Sequence, residues 1–309
     1  MVGSAIVREL ERRGFSSVLT ASHHELDLTD QAAARAFFER ERPEYVFLAA
    51  ARVGGIVANS SYPADFIYDN LAIAMNVINA AHRSGVRALL HLGSSCIYPR
   101  DAVQPMREDA LLTGPLEATN EPYAIAKIAA IKLCASYNRQ HQTNFMSLMP
   151  TNLYGIGDNY DPVSSHVLPA LIGKFHRAAT TGAGSVTLWG DGSPLREFLW
   201  ADDLAAAAVM LMDGHQASEP QVGDWINVGS GEEVTIGHLA DTVRQVICHE
   251  LGMSPTSIAI EWDAEMPNGT PRKLLDSSRI RALGWAPTTS LHDGIRAAYA
   301  DYVAGVARS

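Results

Sequence analysis

The sequence predicts an α/β protein built on a doubly wound parallel sheet, and two observations carry that prediction. Short apolar runs of strand length alternate with longer amphipathic runs of helical period, which is typical of parallel sheets covered by helices on both faces. Small and hydroxyl residues follow several of the apolar runs, at the carboxyl ends where such sheets bind ligands. Beyond residue 155 the alternation loosens, so we expect a smaller, mixed α/β region there.

The first half of the chain supplies this alternation element by element. Helices are predicted over Gly3–Arg13, 31–42 and Pro63–Ser84 and around Tyr123, and strands over Ser17–Thr20, 45–51, Arg87–Leu92 and Asn144–Leu148. Gly14 stops the first helix, and Asp27 and Asp30 bracket the start of the second.

The second half is predicted in the same way. Strands are expected over Val186–Trp189, Asp224–Val228 and Ile258–Trp262, and the last two helices over Ser277–Leu283 and Leu291–Ala304. Between them, the run LWADDLAAAAVMLM predicts a strand that leads into a helix with Asp202 at its cap.

One expected element is missing from the start of the chain. A dinucleotide-binding sheet of the Rossmann type opens with an apolar strand and a glycine-rich turn that leads into the first helix. Here the helix is present without the strand, and Gly3 corresponds to the last glycine of that turn. Because this strand would lie inside the sheet, its loss would leave backbone groups unpaired, and we expect the native product to start roughly a dozen or more residues upstream.

Composition and charge exclude several classes of protein. The apolar fraction of 47% and the charged fraction of 19% are typical of a globular protein of 309 residues. A net charge of −10 without basic runs argues against nucleic acid as a partner, and no apolar run is long enough to span a membrane. The three cysteines and the histidines lack metal-ligand spacing, so we predict no metal site. The cysteines are few and far apart along the chain, which fits a reducing, cytoplasmic location.

The stretch from His91 to Lys132 carries the strongest chemical signal. Ser94 follows a predicted strand, and Tyr123 and Lys127 are four residues apart on a predicted helix, so they share one face. A lysine beside a phenol stabilises its anion, and a serine can hold a substrate oxygen next to it. This combination predicts acid-base chemistry at a carbonyl or hydroxyl group.

Each of these residues also has a purely structural interpretation. The Tyr-x-x-x-Lys spacing alone is more common on amphipathic helices whose lysine reaches along the surface. A free cysteine such as Cys96 is most often a small buried apolar residue, and Cys134 and Cys248 are expected in the core. His166 could cap or pack against a helix, and Trp189 could be a core residue.

Several motifs together resemble the GDP-L-fucose synthase family of extended short-chain dehydrogenases/reductases. They are GSSCIYP, NEPYAIAKIAAIKLC, MPTNLYG, SHVLPALI, REFL and GTPRKLLD. The resemblance implies NADPH-dependent conversion of GDP-4-keto-6-deoxy-D-mannose to GDP-L-fucose, by epimerisation at C3 and C5 and reduction at C4. It also implies an NADP-binding Rossmann domain over 1–155 with a return segment at about 197–230, and a region over 156–309 that mainly binds the GDP-sugar.

The same resemblance implies a role for each site residue. Tyr123 would give a proton to the C4 oxygen, Lys127 would lower the pKa of Tyr123, and Ser94 would polarise the oxygen. Cys96 and His166 match the epimerisation base and acid. The cofactor residues implied are Gly3, Ala49, Ala50, Ala51, Ser94, Lys127, Pro150, Thr151, Asn152, Leu153 and His166. The substrate residues implied are Lys174, Trp189, Arg196, Arg272 and Lys273.

Two departures from the family pattern limit what the resemblance implies. Some relatives carry an arginine near His23, where the 2′-phosphate of NADPH would lie, and Asn268 replaces an aspartate that is common in the family. The family also implies a homodimer that pairs the helix bearing Tyr123 with the long helix before Ser94. The alternatives are an NAD-dependent sugar-nucleotide 4-epimerase or dehydratase of this fold, and a non-catalytic dinucleotide-binding protein.

Overall fold

The structure is a computed structural model that describes residues 1–162, 164–266 and 268–306. The helices are α1 (Val2–Arg12), α2 (Gln31–Glu41), α3 (Ile56–Ser61), α4 (Pro63–Arg83), α5 (Glu121–His141), α6 (Val167–Thr181), α7 (Ala201–Gly214), α8 (Ile236–Glu250), α9 (Ser278–Ala282) and α10 (Leu291–Val306). The strands are β1 (Tyr45–Leu48), β2 (Ala88–Leu92), β3 (Phe145–Pro150), β4 (Asn152–Tyr154), β5 (Ser185–Trp189), β6 (Leu195–Trp200), β7 (Trp225–Val228), β8 (Glu233–Thr235), β9 (Ala259–Asp263) and β10 (Arg272–Lys273).

The first sheet confirms the predicted doubly wound parallel architecture. Its strands lie in the order β1-β2-β3-β7 and all pair in parallel. Alternate residues of β2 enter different cores, with Leu90 packed against α1 and α7 and Leu89 packed against α2, α4 and α5. Helices therefore cover both faces, which explains why every residue of β2 and β3 is buried.

The second region is smaller and mixed, as predicted. Strand β6 pairs in parallel with β4 and β10 and antiparallel with β8, while β5 pairs with β9. Helices α6, α8 and α10 bury their apolar faces in one shared core, which includes Cys248. Strand β6 joins the two regions, because Leu199 lies in the first core and Phe198 in the second.

The predicted strand Ser17–Thr20 is wrong, since these residues form no strand in the structure. Strand β1 is at the edge of the first sheet and pairs only with β2 among the described residues. Phe15 and Leu19 are 46% and 55% exposed. A short apolar segment that finds neither a ladder partner nor a core gains too little to remain extended.

Two helix starts test the predicted caps. Asp30 caps α2 by accepting hydrogen bonds from the backbone N–H groups of Ala32 and Ala33, as predicted. Asp202 does not cap α7, because it lies inside the first turn and its carboxylate binds Arg8 of α1 at 2.8 Å. None of the helices in the described part of the chain combines the length and hydrophobicity that a membrane span requires.

Candidate active site

The carboxyl ends of β1, β2 and β3 meet at one edge of the sheet. They carry the predicted cofactor residues Ala49–Ala51, Ser94 and Pro150–Leu153 respectively. Helix α1 begins at the same edge, since a Cβ added to Gly3 would lie 3.7 Å from the Cβ of Ala49. The fold therefore brings together the residues of this set that follow the strands.

The turn after β2 directs alternate side chains into the cleft. Ser94 is extended, and its Oγ accepts a hydrogen bond of 3.3 Å from the backbone N–H of Cys96. Ser95 and Ile97 are buried, whereas Ser94 and Cys96 keep contact with solvent. Ser95 thus points into the protein, and the two residues with predicted chemical roles face outward together.

Helix α5 places Tyr123 and Lys127 beside this turn. The Nζ of Lys127 lies 5.7 Å from the ring centroid of Tyr123 and donates a 2.8 Å hydrogen bond to the carbonyl of Leu92. Lys127 is only 5% exposed, and burial lowers its pKa to about 8. The predicted pairing on one helix face is confirmed by this geometry.

Lys127 is expected to lower the pKa of Tyr123, but in this structure other effects outweigh any such contribution and the net pKa is raised. Burial is the largest effect and raises the pKa of Tyr123, and negative charge on Cys96 adds to it. A hydrogen bond with Ser94 acts in the opposite direction but is the weaker effect. Tyr123 is therefore protonated at neutral pH, as a proton donor must be.

Two side chains that the sequence did not connect with Cys96 contact its sulfur. The amide Nδ2 of Asn120 lies 3.3 Å from Sγ, and the Nζ of Lys273 lies 3.5 Å from it. The resemblance assigned Lys273 to substrate binding, at the diphosphate or in closing the site, and gave Asn120 no role. Asn120 immediately precedes the EPY that opens α5, and this adjacency was the available signal.

His166 stands at the start of α6 without a side-chain capping bond. The backbone N–H of Gly55 binds the carbonyl of Ser164, which joins the loop after β1 to the segment before His166. The residue is exposed, yet surrounding protein atoms lower its pKa. Among the described residues it makes no hydrogen bond to Cys96 or Tyr123.

The predicted substrate residues fall into two groups. Lys174 donates to the carbonyl of Thr187, and Trp189 at the end of β5 is 55% exposed, so it is not a core residue. Arg196 and Lys273 are register partners on β6 and β10, and they therefore point to the same face.

Arg272 is separated from this group. Its Nε donates to both carboxylate oxygens of Glu233, at 3.1 and 2.8 Å, and adjacent strand residues point to opposite faces. Asn268 also has a local partner, because its Oδ1 accepts a hydrogen bond from the backbone N–H of Asp191. His23 lies exposed in the segment before α2.

The buried ammonium of Lys127 fits a nucleotide ribose. Of its three N–H donors, one binds Leu92, so two remain for hydroxyl groups at the edge of the sheet. The adjacent cleft contains the protonated phenol of Tyr123 beside the hydroxyl of Ser94. It also contains the sulfur of Cys96, which is contacted by two N–H donors. This arrangement can protonate an oxygen and remove a proton from carbon.

Comparisons with known proteins agree on one family. A model of the NAD dependent epimerase/dehydratase family matches residues 1–229. The chain is 54% identical to GDP-L-fucose synthase 1 from Arabidopsis thaliana over 306 residues, which cover 99% of this chain and 91% of the relative. It is 51% identical to GDP-L-fucose synthase from Escherichia coli strain K12, with 97% and 92% covered.

Solved structures give the same result. A GDP-L-fucose synthetase from Naegleria fowleri bound to NADP superimposes with a TM-score of 0.88 at 25% identity, covering 100% of this chain and 92% of that one. A GDP-mannoheptose C4 reductase from Campylobacter jejuni with NADP bound has a TM-score of 0.87 at 36% identity, with 98% and 95% covered.

Proposed function

The chain belongs to the NAD dependent epimerase/dehydratase family, and we propose that it converts GDP-4-keto-6-deoxy-D-mannose to GDP-L-fucose with NADPH. The observation that carries the proposal is the meeting of Ser94, Cys96, Tyr123 and Lys127 around one cleft at the carboxyl edge of the sheet. A ketone reductase needs the serine, phenol and lysine, and an epimerase needs a base for carbon in addition.

Reduction at C4 uses the side of the cleft formed by α5. When bound, NADPH supplies the hydride that is added to C4. Tyr123 holds the proton that the C4 oxygen takes up as negative charge develops there, and Ser94 donates a hydrogen bond to the same oxygen. Lys127 orients the ribose, and its positive charge stabilises the phenolate that forms.

Epimerisation at C3 and C5 uses the ketone before it is reduced. The C4 carbonyl acidifies both neighbouring C–H bonds, because the resulting carbanion is delocalised as an enolate. Cys96 as thiolate takes the proton from one face, and His166 returns a proton to the other face. The surrounding protein atoms lower the pKa of His166, so its protonated form is a stronger donor but less abundant at neutral pH.

The GDP portion lies along the second region. Lys174, Trp189 and Arg196 supply two cations and one exposed aromatic face, which suit a diphosphate and a guanine base. Residues 1–155 with a return segment at about 197–230 then form the NADP domain, and 156–309 mainly bind the sugar nucleotide. The position of β6 between the two cores supports this division.

We also propose a homodimer formed through α4 and α5, in the cytoplasm. The two helices pack side by side, and Tyr68, Met75 and Ile125 leave apolar surface exposed on them. Light scattering of the purified protein should give twice the chain mass, and Met75→Glu should give monomers. The free state of the three cysteines supports a reducing compartment.

The test of function is incubation of purified protein with GDP-4-keto-6-deoxy-D-mannose and NADPH. Stoichiometric NADPH oxidation with formation of GDP-L-fucose is expected. Turnover of an intact sugar nucleotide with retained NAD would instead indicate a 4-epimerase or dehydratase. Nucleotide binding without any turnover would indicate a binding protein, and either result refutes the proposal.

A further inference from the structure

We infer that Lys273 and Asn120 are positioning residues that hold Cys96 as the thiolate base of the epimerisation, an inference that rests on the proposed function. Lys273 thereby has a role at the reacting carbons and not only at the GDP end.

Both contacts to the sulfur are made by N–H donors. An ammonium has three donors and no acceptor, so Lys273 at 3.5 Å favours the anionic sulfur over the thiol. The amide of Asn120 adds a second donor at 3.3 Å. Its Oδ1 is buried and has no hydrogen-bond partner in the described structure, so the sulfur contact is what orients this amide. Nearby cations and hydrogen-bond donors are the usual means by which proteins activate a cysteine.

The backbone around Lys273 is fixed on two sides. On one side Lys273 pairs with Arg196 in the ladder between β10 and β6. On the other side, the next residue, Leu274, donates its N–H to Oε1 of Gln104 and accepts from the N–H of Met106, both at 2.8 Å. A lysine on a strand held in this way approaches the cleft from a defined direction.

A buried amide joins the lysine's strand to the turn that carries Cys96. Oδ1 of Asn227 accepts a hydrogen bond of 2.5 Å from the hydroxyl of Tyr98, two residues beyond Cys96. Its Nδ2 donates to the carbonyls of Met106 and Asp276, at 3.0 and 3.2 Å. The separation of Sγ and Nζ is therefore set by one connected network and not by two independent surface loops.

The charge of Lys273 has no competing carboxylate. Among the described residues it forms no ion pair, whereas its neighbour Arg272 is neutralised by Glu233. Within the described part of the chain, the titratable groups that act on Cys96 or respond to its charge are Lys273 from β10 and Tyr123 from α5. Burial raises the pKa of Tyr123, and negative charge on Cys96 adds to that effect.

The test titrates Cys96 in the enzyme without substrate. The rate of alkylation by iodoacetamide is measured against pH for wild type, Lys273→Met and Asn120→Ala, with Cys96→Ser as the blank for Cys134 and Cys248. Removing the ammonium removes an N–H donor that contacts the sulfur and a positive charge that attracts the thiolate, so Lys273→Met should alkylate about tenfold more slowly at neutral pH. Lys273→Arg should restore most of the rate.

The matched control is Lys132→Met, which removes a lysine that stacks on Trp225 at 4.4 Å on the same helix as Tyr123. It should leave the alkylation profile unchanged. If Lys273→Met has the wild-type profile, Lys273 does not hold the thiolate, and the inference fails. Should Lys273→Met fail to fold, the Asn120→Ala profile decides the matter, with the same direction expected and an unchanged profile counting against it.

Kinetic measurements distinguish a role of Lys273 at Cys96 from a role in binding the diphosphate, and from failure of the proposed function. Loss of a diphosphate contact alone would raise KM and leave the alkylation profile in place, which contradicts the inference. The alkylation profile of Lys273→Met could also shift while the wild-type enzyme does not act on GDP-4-keto-6-deoxy-D-mannose. That result would support the role of Lys273 at Cys96 and overturn the proposed function. A shifted profile with slowed C3 and C5 exchange supports both.

Discussion

Replacing Cys96 with serine should separate the two reactions that share the cleft. The substitution exchanges one atom and leaves Ser94, Tyr123 and Lys127 in place, because none of them depends on the sulfur for its position: Lys127 binds Leu92, and the Ser94 Oγ binds a backbone N–H. A serine hydroxyl stays protonated at neutral pH even beside Asn120 and Lys273, so the base is lost.

The size of the effect follows from the role assigned to the sulfur. A positioned general base contributes roughly 10²- to 10⁴-fold. At about 1.36 kcal/mol per tenfold, the exchange barrier should rise by at least about 2.7 kcal/mol. The hydride step should not slow, since removing negative charge beside Tyr123 relieves one cause of its raised pKa and makes the phenol a better donor.

Solvent deuterium measures the first step and reverse turnover the second. Wild type and Cys96→Ser are mixed with the keto sugar in D₂O without NADPH, and deuterium at C3 and C5 is followed by NMR. Hydride transfer is followed from GDP-L-fucose to NADP, which needs no epimerisation. Cys248→Ala, which removes a thiol from the core beneath α8, should behave as wild type in both assays. Exchange by Cys96→Ser at the wild-type rate would show that Cys96 is not the base.

Three further predictions concern the reductase side and the framework. Tyr123→Phe should slow NADPH oxidation by roughly 10²- to 10⁴-fold while C3 and C5 exchange continues, and loss of both together in the NMR assay would contradict the division of roles. Because the pKa of Lys127 is lowered to about 8, its positive charge is lost as pH rises through that value, and the rate of single-turnover reduction should decrease above it. Lys127→Arg should move this decrease in rate to higher pH. A decrease at the same pH in Lys127→Arg would exclude Lys127 as its cause. Tyr98→Phe removes the hydroxyl that donates to Oδ1 of the fully buried Asn227, so it should lower the free energy of unfolding, measured in urea, by about 1–3 kcal/mol. Tyr62→Phe, at an exposed position, should change the free energy of unfolding by under about 0.5 kcal/mol. Equal effects of the two substitutions would contradict this prediction.

Much of the fold follows from local pattern. Helical period and strand-length apolar runs are properties of neighbouring residues, so the bounds of α2, α4, β2 and β3 agree with the prediction to within one or two residues. Strand order along the chain likewise indicated which residues would follow carboxyl ends, and Ser94 and Ala49 lie there. The segment Ser17–Thr20 failed because a strand also needs a partner, which local pattern does not supply.

The sequence by itself determined the phenol, lysine and serine of the reductase side, since four-residue spacing on a helix fixes a shared face regardless of the rest of the fold. The tertiary structure alone decided the surroundings of Cys96. Asn120 is 24 residues away along the chain and Lys273 is 177 residues away, and only the packing of β10 between β6 and the segment around Met106 brings that lysine to the sulfur. The raised pKa of Tyr123 also depends on the tertiary structure, because its main cause is burial. Burial results from atoms of several elements that are distant along the chain, so the spacing of neighbouring residues does not predict it.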